Sequence, residues 1–450
     1  MNPRTPTSWR EDGETAHRVA SDTLQTLALR LLLHLLGLAA SVLISRGLGP
    51  EGRGRYYFPV VVAGTTAVLS RLGLEQVNFF LFGTRGISIH RLSRQNGLVA
   101  LVMGSLGAAA VLGMRTVAPG LFAETSPVDL LLAGLVIPFT LHTTFTASLL
   151  TLRGDVTAQF RAALVAGFVH AVILGALFLG AWLTVESVLA ANLAMVAVAW
   201  LRTARALDGG AGRIGWDATL LSETLKHAAP THLAMVLYFL QLRLDMFMVK
   251  ALAGTEALGH YSVSVTLAET VLLATGSLAL AILPHQADGT IQVAASLALR
   301  GARLSALAGS GLAVLWAGGG LVFIRFAFGD RFAPAYLPLV ALLPGMVFLG
   351  MQQVCRAPAL RAGRPGRIAG IFALALLVNA ALNAWWIPRW GPVGAGLAST
   401  VSYGVGALVF LGWTARLARL RLAEALRPRR ADLSAAWSAA VRTVWVGAKS

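Results

Sequence analysis

The chain has 450 residues, 56% of them hydrophobic and only 13% charged, with a mean hydropathy of +0.70. Soluble domains are typically about 45–50% apolar and about 25% charged, so this composition excludes a soluble globular protein and points to a polytopic α-helical membrane protein. The net charge of +17 has no free basic domain to carry it, which excludes a nucleic-acid partner.

In chain order, residues 1–22 form a polar tail with Glu11, Asp12, Glu14 and Asp22. The first apolar run, 24–45, is long for a signal-peptide core and is interrupted by Arg30 and His34, so it reads as a span rather than a cleaved leader. Further spans are expected at 56–83, 96–114, 128–150, 160–181 and 185–203. After a polar connection come 222–249, 257–286, 301–323, 335–357, 366–387 and 393–415. The tail 416–450 begins with a basic stretch. It then places Trp437, Val441, Val444 and Trp445 at helical spacing, which suits an interfacial helix on an anionic leaflet. With the N-terminus inside, 26 of the 37 Lys and Arg residues fall on the inner side, 8 on the outer side and three within spans. That bias places both termini in the cytoplasm.

The stretch "SRGLGPEGRGRYY" after the first span is the most basic outer segment and returns about 205 residues later. Gly49, Glu51, Gly54 and Tyr56 match Gly254, Glu256, Gly259 and Tyr261 in register. Pro138 meets Pro344, Leu152-Arg153 meets Leu360-Arg361, and "VESVLA" falls on "VGAGLA". These matches occur in order, so the reading is an all-α protein of about twelve spans in two homologous six-helix lobes around a central cavity. The lobes are 23–206 and 222–415, joined by 207–221 and flanked by the tails 1–22 and 416–450. Arg46, Arg53 and Arg55 are mostly absent from the echo; they either meet an anionic load on the outer side or decorate a solvated loop.

Ionisable groups inside a membrane are costly and tend to face a cavity. Here they cluster in the first two spans of each lobe. Arg30 and His34 are four apart on one face, with no acid beside them, and read as cavity-lining. Arg71 and Glu75 are also four apart, either an intrahelical ion pair or cavity groups. Asp245 is either a partner of Arg243 or Lys250 or an ion-coupling group. Glu269 is either a proton-coupling carboxylate or a partner of Arg243 across the gap between lobes. A cavity holding Arg30, His34, Arg71 and Arg243 suits an anionic head group, because guanidinium forks match phosphate oxygens. Glu75, Asp245 and Glu269 balance that charge.

No P-loop, HExxH, CxxC or GxSxG occurs, so the chain carries no sign of ATPase, zinc or serine chemistry. No catalytic residue, metal or organic cofactor is expected. The single cysteine, Cys355, excludes an internal disulfide. Gly366 and Gly370 form a GxxxG face, read as close helix packing.

The first span running into "SRGLGPEGRGRYY", the segment "LYFLQLRLDMFMVKALAGTEALGHYSVSVTLAE" and the entry "WGPVGAGLAS" to the last span together resemble the polysaccharide-type lipid-linked oligosaccharide flippases. These belong to the multidrug/oligosaccharidyl-lipid/polysaccharide exporter superfamily, and the resemblance covers about residues 20–415. It implies a two-lobed transporter of alternating access moving an undecaprenyl-diphosphate-linked oligosaccharide from the cytoplasmic to the periplasmic leaflet. It further implies H+ or Na+ as coupling ion, a monomer, and association with polysaccharide polymerase or export machinery. By motif match, Arg243, Asp245, Tyr261 and Glu269 take the second-lobe pattern, and Gly49, Glu51, Gly54 and Tyr56 the first. Two alternatives stay open: a multidrug or small-solute antiporter of the same superfamily, and a polytopic enzyme of polysaccharide assembly.

Overall fold

The computed structural model describes residues 8–207, 215, 217–287 and 290–427, with side chains from residue 28 except 230, 277–278, 280–287 and 425–426. The helices are α1 (Ser8–Ser70), α2 (Leu74–Arg85), α3 (Ile89–Val117), α4 (Pro127–Leu152), α5 (Val156–Leu179) and α6 (Val185–Ala206). They continue with α7 (Ala218–Ala253), α8 (Thr255–Ala287), α9 (Ile291–Phe328), α10 (Tyr336–Arg361), α11 (Pro365–Leu417) and α12 (Leu422–Leu426). A 3-10 turn, Asp330–Ala335, joins α9 to α10, and no strand occurs among the described residues. Most of the interfacial helix expected in the tail, including Trp437 to Trp445, lies outside the described residues.

Among the described residues, ten helical segments are long and apolar enough to cross a membrane. Two of them, in α1 and α11, are broken at Gly49 (φ 69°) and Gly391 (φ 55°), which gives twelve spans. In each break a glycine with positive φ precedes a proline, Pro50 or Pro392. Glycine supplies the left-handed backbone, and proline restarts the helix where its missing N–H is not needed. The stretches 46–55 and 388–392, expected as loops, are therefore kinks in helix. The span expected at 56–83 is interrupted at 71–73, where Leu72 and Gly73 have positive φ. Arg71 and Glu75 consequently do not share a helical face. Gly73 also lies close against α7: a Cβ there would be 3.0 Å from His232 Cβ.

The chain forms two compact units. The first comprises residues 1–47, 74–112 and 127–225. In it α6 packs on α4 and α5, and α2 on α4. Gly104 faces Pro138 so closely that a Cβ would come within 2.5 Å of Pro138 Cα, the small-residue packing that helices use in lipid. Arg91 chelates Asp217 through Nε and Nη2 at 2.9 and 2.5 Å, and Asp217 Oδ1 accepts from the Leu220 amide. That amide hydrogen bond, ahead of the Arg91 partnership, holds the Asp217 carboxyl below the usual carboxylate range.

The second unit comprises 48–73, 113–126 and 226–450. Here α10 is central, between α8, α9 and α11, and Cys355, Phe372 and Phe410 sit in its buried apolar cluster. The two copies of the repeated turn meet in this unit. A Cβ on Gly54 would overlap the Thr255 carbonyl, and one on Gly259 would overlap the Pro50 carbonyl. Both relations are reciprocal at the 205-residue offset found in the sequence. The glycines shared by the repeat thus let two helix starts cross with backbones in contact, a geometry in which Cα–H groups approach carbonyl oxygens.

Large apolar side chains point outward in both units, among them Phe168, Val322 and Phe326. Such a surface in water marks an aggregation liability; in hydrocarbon it matches the solvent. The sequence has folded into an all-α, multi-pass membrane architecture.

A Gly259→Val substitution must push the Pro50 backbone away, a clash that costs about 1–3 kcal/mol. The expected result is a lower melting temperature of detergent-solubilised protein. Gly64→Ala, in α1 where a Cβ meets nothing within 4 Å, is expected to leave it unchanged or raise it.

Candidate functional site

A carboxylate in an apolar span needs donors from the protein itself, and Asp245 of α7 has them. Asp245 is fully buried; its Oδ2 accepts from the Tyr261 hydroxyl at 2.5 Å and from Ser399 Oγ at 3.0 Å, and its Oδ1 from the Met246 amide at 2.8 Å. Asn379 donates to Ser399 Oγ at 3.2 Å, and Asn383 to Asn379 Oδ1 at 2.8 Å. One turn away along α7, Gln241 donates to Ser402 and accepts at its backbone carbonyl from the Tyr403 hydroxyl. The result is a buried polar ladder between α7, α8 and α11. Among the described residues no Lys or Arg reaches Asp245 within ion-pair distance: Arg243 and Lys250 both have other partners.

Arg243 points to a different neighbour, as its two-residue offset from Asp245 requires. Its Nη1 donates to Glu269 Oε1 at 2.7 Å, and its guanidinium lies 5.9 Å from the Phe239 ring centre. Glu269 thus pairs with Arg243 between the adjacent helices α7 and α8, within the second unit. Arg53 neither decorates a solvated loop nor stands exposed to a load on the outer side. It is 2% exposed; its Nε donates to Ser262 Oγ at 2.7 Å, and the guanidinium sits over the Tyr57 ring. Arg46 and Arg55 are exposed.

At the same end of the second unit, Lys250 Nζ donates to Glu124 Oε2 at 2.8 Å, and Thr255 is hydrogen-bonded to both. The hydrogen bond from Lys250, ahead of that from Thr255, holds the Glu124 carboxyl below its ordinary range. This clasp joins the 113–126 segment to the turn between α7 and α8. Gly254, with φ 93°, makes that turn.

The remaining predicted groups divide between the units. Arg71 lies in the turn after α1, in the second unit. In the first, the Arg30 guanidinium lies 5.2 Å from the Phe160 ring centre, and its Nε is buried without a hydrogen-bond acceptor among the described residues. His34 follows one turn later, half-buried. Glu75 lines a recess of about 570 Å³ between α2, α4, α5 and α6, together with Gln76, Thr143, Ser148 and Gln159. Gly49, Glu51, Gly54 and Tyr56 form the helix restart; Glu51 is exposed and Tyr56 buried. Among the described residues, no three His, Cys, Asp or Glu side chains converge as a metal site.

The residues that sequence reasoning missed are the neutral ones: Asn379, Asn383, Ser399, Ser402, Gln241 and the Thr-rich recess. The available signal was spacing. Asn379 and Asn383 are four apart in an apolar span, as are Gln241 and Asp245, and each pair marks one helical face.

No protein-family model matches the chain, and no curated protein matches it. Solved structures share its fold. The lipid II flippase MurJ in an inward closed conformation superposes with a TM-score of 0.69 at 14% identity, covering 87% of this chain and 89% of its own. The Vibrio cholerae MATE transporter VcmN, in a mutant form, gives 0.62 at 16% identity, covering 93% and 99%. An inward-facing multidrug resistance MATE family transporter of the MOP superfamily gives 0.60 at 14% identity, covering 86% and 96%.

Because the folded state holds Glu124 at a lowered pKa, the stabilisation from its ion pair is complete above the ordinary carboxylate pKa and is lost as pH falls below it. Amide hydrogen exchange in 118–126 is therefore expected to accelerate on acidification beyond the intrinsic pH effect. In Glu124→Gln, exchange there is expected to be fast already at neutral pH, with that extra acid response gone. Asp245→Ala, which orphans the Tyr261 hydroxyl and Ser399, is expected to destabilise by about 1–3 kcal/mol per unsatisfied group, read as a lowered melting temperature. Asp245→Asn, which keeps an acceptor, is expected to cost less.

Proposed function

We propose that the chain is a flippase of the polysaccharide type, moving an undecaprenyl-diphosphate-linked oligosaccharide from the cytoplasmic to the periplasmic leaflet of a bacterial inner membrane. The observation that carries this reading is the fold: the superposition on a lipid II flippase, at 0.69, exceeds those on the multidrug transporters, at 0.56 to 0.63. The repeated motif and the three arginines among the intramembrane charges support it. In this reading the protein is a transporter and not an enzyme, works as a monomer with both termini cytoplasmic, and supplies a polymerase or export machinery.

The duplicated halves, 23–206 and 222–415, are the moving lobes. The cationic groups offered to the diphosphate are Arg30 and His34 on the first unit and Arg71 and Arg243 on the second. The Arg243–Glu269 pair gives the binding step its logic, because a diphosphate competes with Glu269 for the same guanidinium. Once displaced, Glu269 is a carboxylate without its counter-charge and takes up H+ or Na+, which couples loading to the ion. Asp245 is the second coupling group: three donors already converge on it, so loss or gain of a proton there rearranges Tyr261 and Ser399 together. Glu75 balances charge in the first lobe.

A second reading, a multidrug antiporter, is supported by the 96% coverage of two multidrug MATE transporters. The two separate cleanly in cells. The Arg30→Ala/Arg243→Ala variant is expected to reduce surface polysaccharide at least tenfold on a glycan immunoblot, with membrane abundance unchanged. Wild-type polysaccharide in that variant removes the arginine-based mechanism. Drug resistance conferred by the chain, without any effect of its deletion on surface glycan, establishes the antiporter instead.

A further inference from the structure

The Gly366–Gly370 face does not pack helix on helix. A Cβ at either position meets nothing within 4 Å, and the same holds at Gly412 on the other arm of α11. Gly370 and Gly412 instead help line a groove of about 520 Å³ between the two arms of α11, open to the outside. Its lining follows helical spacing on both sides: Arg367, Gly370 and Leu374 along the first arm, Leu408, Gly412 and Arg416 along the second. Because the chain reverses at Gly391, the start of the first arm and the end of the second lie at the same end, which puts Arg367 and Arg416 together at the mouth of the groove. Both are exposed, and neither guanidinium is paired with another described residue. Arg361, Arg364, Arg419 and Arg421 surround that end in sequence. Trp413 lines the groove one turn below Arg416.

We propose that this groove binds an anionic diacyl phospholipid. The chemistry commits to that class. Two unpaired guanidiniums at one mouth favour a phosphate and give a zwitterionic or cationic lipid no advantage. The apolar floor below them, with Leu374 and Leu408 about half exposed, has no use for a soluble anion but accepts an acyl chain. The missing side chains at Gly370 and Gly412 leave the room that chain occupies. A tryptophan just beneath the charged pair sits at the depth of the ester linkages, where indole rings are favoured. Basic pockets between spans on the positively charged side of a membrane protein hold anionic headgroups for these reasons. The site belongs to the second unit alone and stands whichever load the transporter carries.

The test uses the full-length purified chain and native mass spectrometry, with dioleoyl phosphatidylglycerol, dioleoyl phosphatidylcholine, undecaprenyl phosphate and inorganic phosphate as probes. Phosphatidylglycerol is expected to be retained over phosphatidylcholine, and Arg367→Gln/Arg416→Gln to reduce that preference about tenfold. Gly370→Leu/Gly412→Leu, which fills the floor and keeps both charges, is expected to weaken retention of either phospholipid. Unchanged melting temperatures of the variants establish that binding and not folding is lost. No preference in the wild type, or the same preference in the arginine variant, overturns the proposal. Displacement of phosphatidylglycerol by inorganic phosphate shows an anion site without a lipid. Displacement by equimolar undecaprenyl phosphate assigns the groove to a polyprenyl lipid, and either result overturns it as well.

Discussion

A polar group inside hydrocarbon has no water to bond, so each one must find its partner within the protein. The interior of the second unit is organised by that constraint. Asp245 is one carboxylate with three donors, and those donors come from α7 itself, α8 and α11. Ser399 cannot serve Asp245 unless α11 kinks back at Gly391, and Tyr261 cannot unless α8 starts tightly at Gly254. The buried carboxylate therefore fixes where two helices begin. Arg243, two residues earlier, faces the opposite requirement and takes Glu269 from the next turns of α8. A single helix, α7, thus carries one carboxylate held by neutral donors and one ion pair, on different faces.

Glycine provides the second organising element, through close approach and reversed backbone rather than flexibility. Gly49 and Gly391 break long helices so that one apolar segment crosses twice. Gly54 and Gly259 bring the two copies of the repeated turn into backbone contact. In hydrocarbon, association between helices gains little from burying apolar surface, so the small residue at the crossing matters more than it does in water.

The span count and fold class were legible because apolar runs of membrane-spanning length have few other readings. The repeat was legible because its glycines and tyrosines are held by geometry that recurs. What stayed hidden has physical causes. Gly-Pro next to arginines reads as a loop, yet Gly49-Pro50 and Gly391-Pro392 continue as helix, since proline at a first helical position costs nothing. Helical spacing placed Arg71 and Glu75 on one face, but Leu72 and Gly73 break the helix between them. Arg53 looked like a solvated charge because no sequence window shows Ser262, 209 residues away, which accepts its Nε hydrogen. Asn379 and Asn383 escaped because a search for charges passes over neutral amides. A GxxxG spacing reads as packing, whereas the structure leaves the Gly366–Gly370 face open.

Movement of a lipid-linked sugar between leaflets is the activity proposed for this protein. The most direct measurement reconstitutes the purified chain in liposomes containing a polyprenyl-diphosphate sugar with a fluorescent headgroup, and follows chemical quenching from the outside under an imposed ion gradient. A flippase brings the inner-leaflet label to the outer face, so quenching proceeds to near completion with the wild type and stops at about the outer-leaflet half with Asp245→Asn. Quenching that stops at the same level with wild-type protein, in either gradient direction, as in protein-free liposomes contradicts it.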